Sequence, residues 1–281
     1  MRGGRVVSVL GVVGLGTMGG RMAANVVAAG TAVVGCDPDA AAAARAAAAG
    51  VDVVTGPREV AEASEVVLVV VRDRPQLAAV LGAGTGDGGG ILAVPGRTVA
   101  VSSTVGPRHL AGLAGTVAAA GGTLVDAPIL SGSIGEADAG TLVFVTAGPD
   151  LALARVEPLL APCGTVTRVG AEPGAAQAAK LVNQVMQAVA MLGTLEGVAL
   201  GEAFGVDLDA LVPLLAQGSA RSWAVQNLDR VRFIWERPGD PLDLIYKDMA
   251  NVVEEAADRH LALPVTTATF VAMMRPALYA P

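Results

Sequence analysis

Lysine is almost missing from this chain. Among 281 residues only Lys180 and Lys247 occur, and arginine supplies the other 17 positive charges. A coding bias that drains lysine into arginine accounts for the scarcity, but not for the motif-like surroundings of the two that remain. Arginine cannot give up a proton at working pH, whereas a lysine can, so a site that needs a proton donor has to keep its lysine. Cysteine is as scarce. Cys36 and Cys163 are too few for a disulfide framework, and two reduced thiols in a cytoplasmic chain are the simplest reading. The two histidines, His109 and His260, have no metal-ligand spacing and are expected on helix surfaces; no metal and no Ser-His-Asp set is indicated. Aromatic residues make up 3% and hydrophobic residues 53%. The core is therefore Ala, Val and Leu, which suits helices packed closely on a parallel sheet. A net charge of −7 without a basic stripe argues against nucleic acid as a partner. No run of about 20 apolar residues is free of charge or glycine, which argues against a membrane span. The apolar run Val6–Gly16 behind Arg2 and Arg5 imitates a short signal peptide, but is better explained as a strand entering a glycine turn.

The length suits one large domain or two ordinary ones. In the first part, strand-like runs at Val6–Val13, Ala32–Cys36, Val66–Val71, Thr98–Val101, Thr123–Asp126, Leu142–Thr146 and Val166–Val169 alternate with helical stretches. Those stretches are Thr17–Ala29, Ala40–Ala49, Pro75–Leu81, Pro107–Ala120 and Asp150–Leu160, with Gly82–Gly90 as a flexible surface loop. Repeated strand–helix units predict an α/β, Rossmann-type doubly wound domain with right-handed crossovers. After Gly170 the strand signal stops. Gly174–Phe204 reads as one long helix, followed by helices at Asp207–Gln217, Ala220–Asp229, Leu242–Asp258 and Val265–Leu278. The expected organisation is a dinucleotide-binding domain over 1–168 and an all-α substrate or dimerisation domain over 169–281, joined by the long helix. Trp223 and Trp235 are expected as core or interface anchors.

Gly14-Leu15-Gly16-Thr17-Met18-Gly19 follows the first strand and opens the first helix. In such a turn the first glycine allows the tight bend, the second lets backbone approach a pyrophosphate, and the third lets helix pack on sheet. The helix N-terminus adds amide donors for the phosphates. An acid about 20 residues on completes the pattern, and Asp37 closes the second strand. A carboxylate there accepts from the adenosine ribose hydroxyls and repels a 2′-phosphate. Pro38 follows, so no arginine neutralises such a phosphate, and NAD is favoured over NADP. Asp37 could also cap the alanine helix that follows.

The chain resembles the β-hydroxyacid dehydrogenases, such as 3-hydroxyisobutyrate and tartronate semialdehyde dehydrogenases, with a 6-phosphogluconate-dehydrogenase-type nucleotide domain. Four motifs carry the likeness, in order: Gly11–Gly19 with Met22, Ala23 and Asn25; Ser102–Pro107; Asp126-Ala127-Pro128 with Ser131-Gly132-Ser133 and Ala139–Leu142; and Gly174–Asn183. Tyr246-Lys247-Asp248 also matches, and both lysines fall on the family's lysine positions. The resemblance implies that Leu15 and Met18 lie along the pyrophosphate. Val71 and Arg72 stand beside the cofactor, although the family often has proline at the place of Arg72. It further implies Thr104 near the nicotinamide, Ser131 and Gly132 on the substrate carboxylate, Lys180 as catalytic acid/base and Lys247 on the cofactor. Family members are usually dimers or tetramers, so a homodimer or homotetramer is expected, in keeping with the very apolar helical half.

The chemistry stands without the family. Oxidising an alcohol with NAD takes a hydride from carbon and a proton from oxygen, and a lysine amine in reach of that oxygen can take the proton. Asn183 and Gln184 follow Lys180 by three and four residues, on the same helix face, where neutral amides can orient a substrate. Small Ser131-Gly132-Ser133 exposes backbone amides and hydroxyls suited to a carboxylate. Three departures from the family bear on the substrate: a loop before Ala137 longer by one residue, Gln184 in place of a second asparagine, and Asp240 where many members have a pocket phenylalanine. A carboxylate at Asp240 would favour a polar or cationic substrate end. Competing readings are an imine-reductase-like enzyme, against which Lys180 speaks, and a non-catalytic dinucleotide-binding protein.

Overall fold

A computed structural model of the chain describes residues 9–82, 89–236 and 239–274. The start of the first expected strand, most of the Gly82–Gly90 loop and the end of the last expected helix lie outside the described residues, as does the side chain of Asp240. The chain forms two compact units that divide after Lys180.

The first unit is built on strands β1 (Val9–Val13), β2 (Ala32–Cys36), β3 (Asp52–Val53), β4 (Val66–Val69), β5 (Thr98–Val101) and β6 (Thr123–Asp126). They pair in parallel in the order β3-β2-β1-β4-β5-β6. Their runs of Val, Leu and Ala are buried on both faces, which is why they read as unbroken apolar segments rather than alternating ones. The chain leaves β1 in one direction and restarts at β4 beside it. That reversal makes a crevice outside the carboxyl ends of β1 and β4, the place where doubly wound sheets bind nucleotides.

The helices between the strands are α1 (Gly19–Ala28), α2 (Ala40–Ala48), α3 (Pro57–Ala63), α4 (Arg74–Leu81) and α5 (Pro107–Ala119). The alanine helix α2 is capped by Asp39, whose carboxylate accepts from the Ala41 amide at 2.9 Å; Asp37 is not the cap. Helix α3 is absent from the sequence expectations, although Pro57 at its first turn is a start signal.

Beyond β6 the sheet changes character. Strands β7 (Ile129–Ser131) and β8 (Leu142–Ala147) pair antiparallel, and β8 also meets β6 antiparallel. Helix α7 (Asp150–Leu160) returns the chain to β9 (Gly164–Gly170), parallel to β8. Between β7 and β8 lies α6 (Ile134–Ala139). No helix is expected here from the sequence. Its signals were present: Ser133 followed by Glu136 at the capping-box spacing, and Gly140 at φ 66° ending the helix.

Helix α8 (Ala175–Ala203) begins in the first unit and continues into the second. The second unit adds α9 (Leu208–Leu215), α10 (Trp223–Gln226), α11 (Leu228–Glu236), α12 (Asp240–Asp258) and α13 (Pro264–Met273). Its core takes residues three and four apart, Ala188, Met191, Leu192 and Leu195 from α8 and Leu242, Ile245, Met249 and Val252 from α12. Trp235 is fully buried among them, and Tyr246 stacks on Phe270 with ring centroids 4.8 Å apart. One helix expected at Ala220–Asp229 is two. Ser222 caps α10 through the Val225 amide, and the Asn227 side chain bonds back to the Trp223 carbonyl, a local bond that competes with helix continuation. Trp223 is partly exposed beneath Arg230, 5.5 Å from the ring centre. His109 is half-buried in α5, and His260 lies not on a helix but in the exposed turn after α12, at φ 53°. Among the described residues no helix is long and apolar enough to cross a membrane.

Candidate active site

The glycine turn sits at the β1–β4 crevice, and each glycine has a distinct physical reason. Gly14 adopts φ 98°, and a Cβ there would strike the Val70 carbonyl oxygen. A Cβ on Gly19 would strike the Gly14 carbonyl, so α1 could not pack so closely on the turn. Above Gly16 no described atom comes within 4 Å of the Cβ position. The first and third glycines are thus demanded by the protein's own packing, and the second leaves open a face that a pyrophosphate can approach. These residues fit a dinucleotide.

Asp37 is bound into this turn. Its carboxylate accepts from the Leu15 amide at 2.7 Å and the Asp39 amide at 2.8 Å. The Leu15 side chain is buried in the core against Gly35, so Leu15 faces inward. Thr17 is exposed and Met18 half-buried. Across the crevice the Val71 amide donates to the Ser103 hydroxyl at 2.8 Å. Arg72 is exposed, its amide donating to the Gln76 side chain, and Thr104 is half-buried.

Lys180 belongs to the second turn of α8. Its Nζ donates to the Leu130 carbonyl at 3.2 Å, one residue before the exposed Ser131-Gly132 pair. A Cβ on Gly132 would overlap the end of the Leu142 side chain, so a larger residue there would have to displace Leu142. The Ser133 hydroxyl accepts from the Glu136 amide and caps α6. Asn25 of α1 donates to the Ala137 carbonyl at 2.7 Å, and Arg21 pairs with Asp138. The helix that follows the glycine turn thereby also holds the helix that follows Ser131–Ser133.

The second unit holds Asn183, Gln184, Asp240 and Lys247. Gln184 is buried, and its amide donates to Asp248 Oδ2 at 2.9 Å, while Lys247 pairs with Oδ1 of the same carboxylate at 2.8 Å. Asn183 donates to the Gln184 side chain at 3.4 Å. The Gln184 amide, expected toward a substrate, is engaged by the carboxylate that holds Lys247. Cys36 and Cys163 are separate buried thiols, each pushed up to about 12 by burial. Among the described residues no group of His, Cys, Asp or Glu could hold a metal.

Asp126 and Gln177 fall within two of the family motifs, and neither has a role expected from the sequence. Both are fully buried, and Asp126 is a charged residue ending an otherwise apolar strand, a signal available from sequence alone.

Residues 9–171 match the family described as the NAD binding domain of 6-phosphogluconate dehydrogenase, and residues 174–278 match the NAD-binding family of NADP-dependent 3-hydroxyisobutyrate dehydrogenase. The chain belongs to the β-hydroxyacid dehydrogenase family. L-threonate dehydrogenase of Cupriavidus necator is 34% identical over 263 residues, covering 92% of this chain and 87% of that one. The 3-hydroxyisobutyrate dehydrogenase of Pseudomonas aeruginosa is 35% identical over 213 residues, 75% of this chain and 70% of that one. Among solved structures, Mycobacterium tuberculosis 3-hydroxyisobutyrate dehydrogenase with L-serine superposes with a TM-score of 0.84 at 27% identity, covering 98% of this chain and 96% of that one. As a β-hydroxyacid dehydrogenase the chain is an NAD(P)-dependent oxidoreductase.

Proposed function

We propose that the chain interconverts a small 3-hydroxy acid and its semialdehyde or keto acid with NAD, and that Lys180 is the general acid/base. The observation that carries this reading is the Lys180 ammonium 3.2 Å from the Leu130 carbonyl. A carboxylate held by the Ser131 hydroxyl and the Gly132 amide would sit beside it, with the substrate hydroxyl in reach of the amine. When bound, NAD supplies the nicotinamide ring that accepts a hydride. Lys180, in its neutral form, takes the hydroxyl proton as the carbonyl forms, and in the reverse direction its ammonium returns it. The Leu130 carbonyl orients the amine between the two states.

Asp37 supports NAD over NADP, since its carboxylate stands where a 2′-phosphate would have to be admitted. For Thr104 and Lys247 the support is their place in the motifs, and for Arg72 its exposed place just beyond β4. Relatives named for L-threonate, 3-hydroxyisobutyrate and 2-(hydroxymethyl)glutarate define the substrate panel. Exposed Met186, Leu200, Phe204 and Leu214 support burial against a second copy in a homodimer or homotetramer. Two unpaired thiols support a cytoplasmic enzyme.

The test is NADH absorbance at 340 nm with that panel, for the native chain and Lys180→Ala. Turnover should fall about 10²–10⁴-fold, the usual worth of a positioned acid/base, while the dissociation constant for NAD stays within twofold. Equal turnover in both proteins removes Lys180 from the chemistry. No turnover of any hydroxy acid by the native chain, with NAD still bound, favours the non-catalytic reading.

A further inference from the structure

A buried polar lock stands directly before Lys180 in the chain. Asp126 Oδ2, at the end of β6, accepts from the Gly174 amide at 3.0 Å and the Gln177 amide at 2.8 Å. These are amides of the first turn of α8, which the helix itself cannot satisfy, so a distant strand supplies the cap. Gln177 uses every polar atom of its side chain. Its Nε2 donates to Asp126 Oδ1 and to the Ser103 carbonyl, each at 3.0 Å. Its Oε1 accepts from the Val105 amide at 2.9 Å and the Gly106 amide at 3.2 Å. Ser103 in turn receives the Val71 amide. One unbroken set of hydrogen bonds therefore runs from the end of β4 through the loop after β5 to the first turn of α8, three residues before Lys180.

We propose that Asp126 and Gln177 are positioning residues: their side chains fix the first turn of α8, and with it the Lys180 amine, in register with the loop that borders the cofactor crevice. This rests on Lys180 as the acid/base. The lock is directional, because the carboxylate only accepts and the amide of Gln177 donates to it. A misplacement of about 1 Å in a reacting group can cost on the order of 100-fold in rate, and a half-satisfied buried network loses its order more readily than an apolar one.

The experiment exploits that direction. Asp126→Asn sets an amide donor against the Gln177 donor. Gln177→Glu sets two carboxylates against each other. The double variant Asp126→Asn/Gln177→Glu restores a donor facing an acceptor between the two side chains and keeps the net charge, but replaces the bond to the Ser103 carbonyl by two facing acceptors, so the rescue is partial. Kinetics are measured below each melting midpoint, with the NAD dissociation constant by calorimetry and Lys180→Ala alongside. Each single variant should lose at least tenfold in kcat with NAD affinity within twofold, and the double variant should regain at least fivefold over the weaker single. If a single variant does not fold, Gln177→Met, which keeps the shape and drops the bonds, should show the same loss in kcat. Single variants that melt earlier yet keep the native kcat overturn the proposal, and so does a double variant no better than the weaker single. Native turnover by Lys180→Ala would instead overturn the acid/base reading itself, so the two failures are distinguishable.

Discussion

Replacing Asp37 by alanine tests the nucleotide end of the site on two scales at once. The carboxylate holds two backbone amides, those of Leu15 and Asp39. Hydrogen bonds to a charged group are worth about 1.5–3 kcal/mol each, but the two donors differ. Asp39 is exposed and its amide can return to water, whereas Leu15 is buried and its amide cannot. The loss should therefore be close to one such bond, about 2 kcal/mol. For a chain of this size 1 kcal/mol moves the melting point by about 2–4 °C, so a fall of about 4–8 °C is expected by scanning calorimetry. The second scale is cofactor choice. A carboxylate and one unit of phosphate charge about 5 Å apart repel by about 3 kcal/mol at an effective dielectric constant of 20. Removing that repulsion should shift the ratio of kcat/KM for NADP over NAD upward by about 100-fold. The assay is 340 nm kinetics with both cofactors on native and Asp37→Ala enzyme. A ratio unchanged within threefold, or a native enzyme that prefers NADP, refutes the role given to Asp37. An unchanged melting point refutes the role given to the Leu15 bond.

Gly19→Ala should abolish detectable NAD binding by calorimetry and cost about 1–3 kcal/mol in denaturant unfolding, the usual penalty of overpacking, because its methyl would overlap the Gly14 carbonyl. Burial pushes Asp126 up to about 6, outweighing the amide bonds from Gln177, Gly174 and Ala176. The folded chain then binds a proton that the unfolded chain releases between about pH 4 and pH 6, so this group's contribution to stability falls as pH rises across that window, by roughly 3 kcal/mol in all. Asp126→Asn does not titrate; thermal melts should show the native advantage over it shrinking from pH 4 to 6 and levelling above, and a constant difference would contradict this. Cys36 and Cys163, buried and pushed up to about 12, should not react with a thiol reagent at pH 8 in the native protein, and both should react in denaturant.

Much of this was legible along the chain. The glycine turn could be read because its first and third glycines answer a local packing demand, and the acid at Asp37 because its distance along the chain is set by one helix and one strand. The parallel strands could be read because burial on both faces leaves no polar position to break the run. The short elements escaped: a two-residue β3, a three-residue β7 and a six-residue α6 carry too little periodicity to stand out. The partner of Gln184 was hidden for another reason. Helical spacing puts it on the Lys180 face, but not even a full reading of α8 shows that Asp248, 64 residues on, takes its amide.

The sequence by itself determined the strand, glycine turn and helix that open the first unit, the succession of the longer strands and helices, and the family, because those depend on spacing and on side chains close together in the chain. Tertiary structure alone decided what Asp126 and Gln177 do. A carboxylate that caps a helix 48 residues away leaves no periodic trace, and only folding brings β6, the loop after β5 and the first turn of α8 within hydrogen-bonding distance.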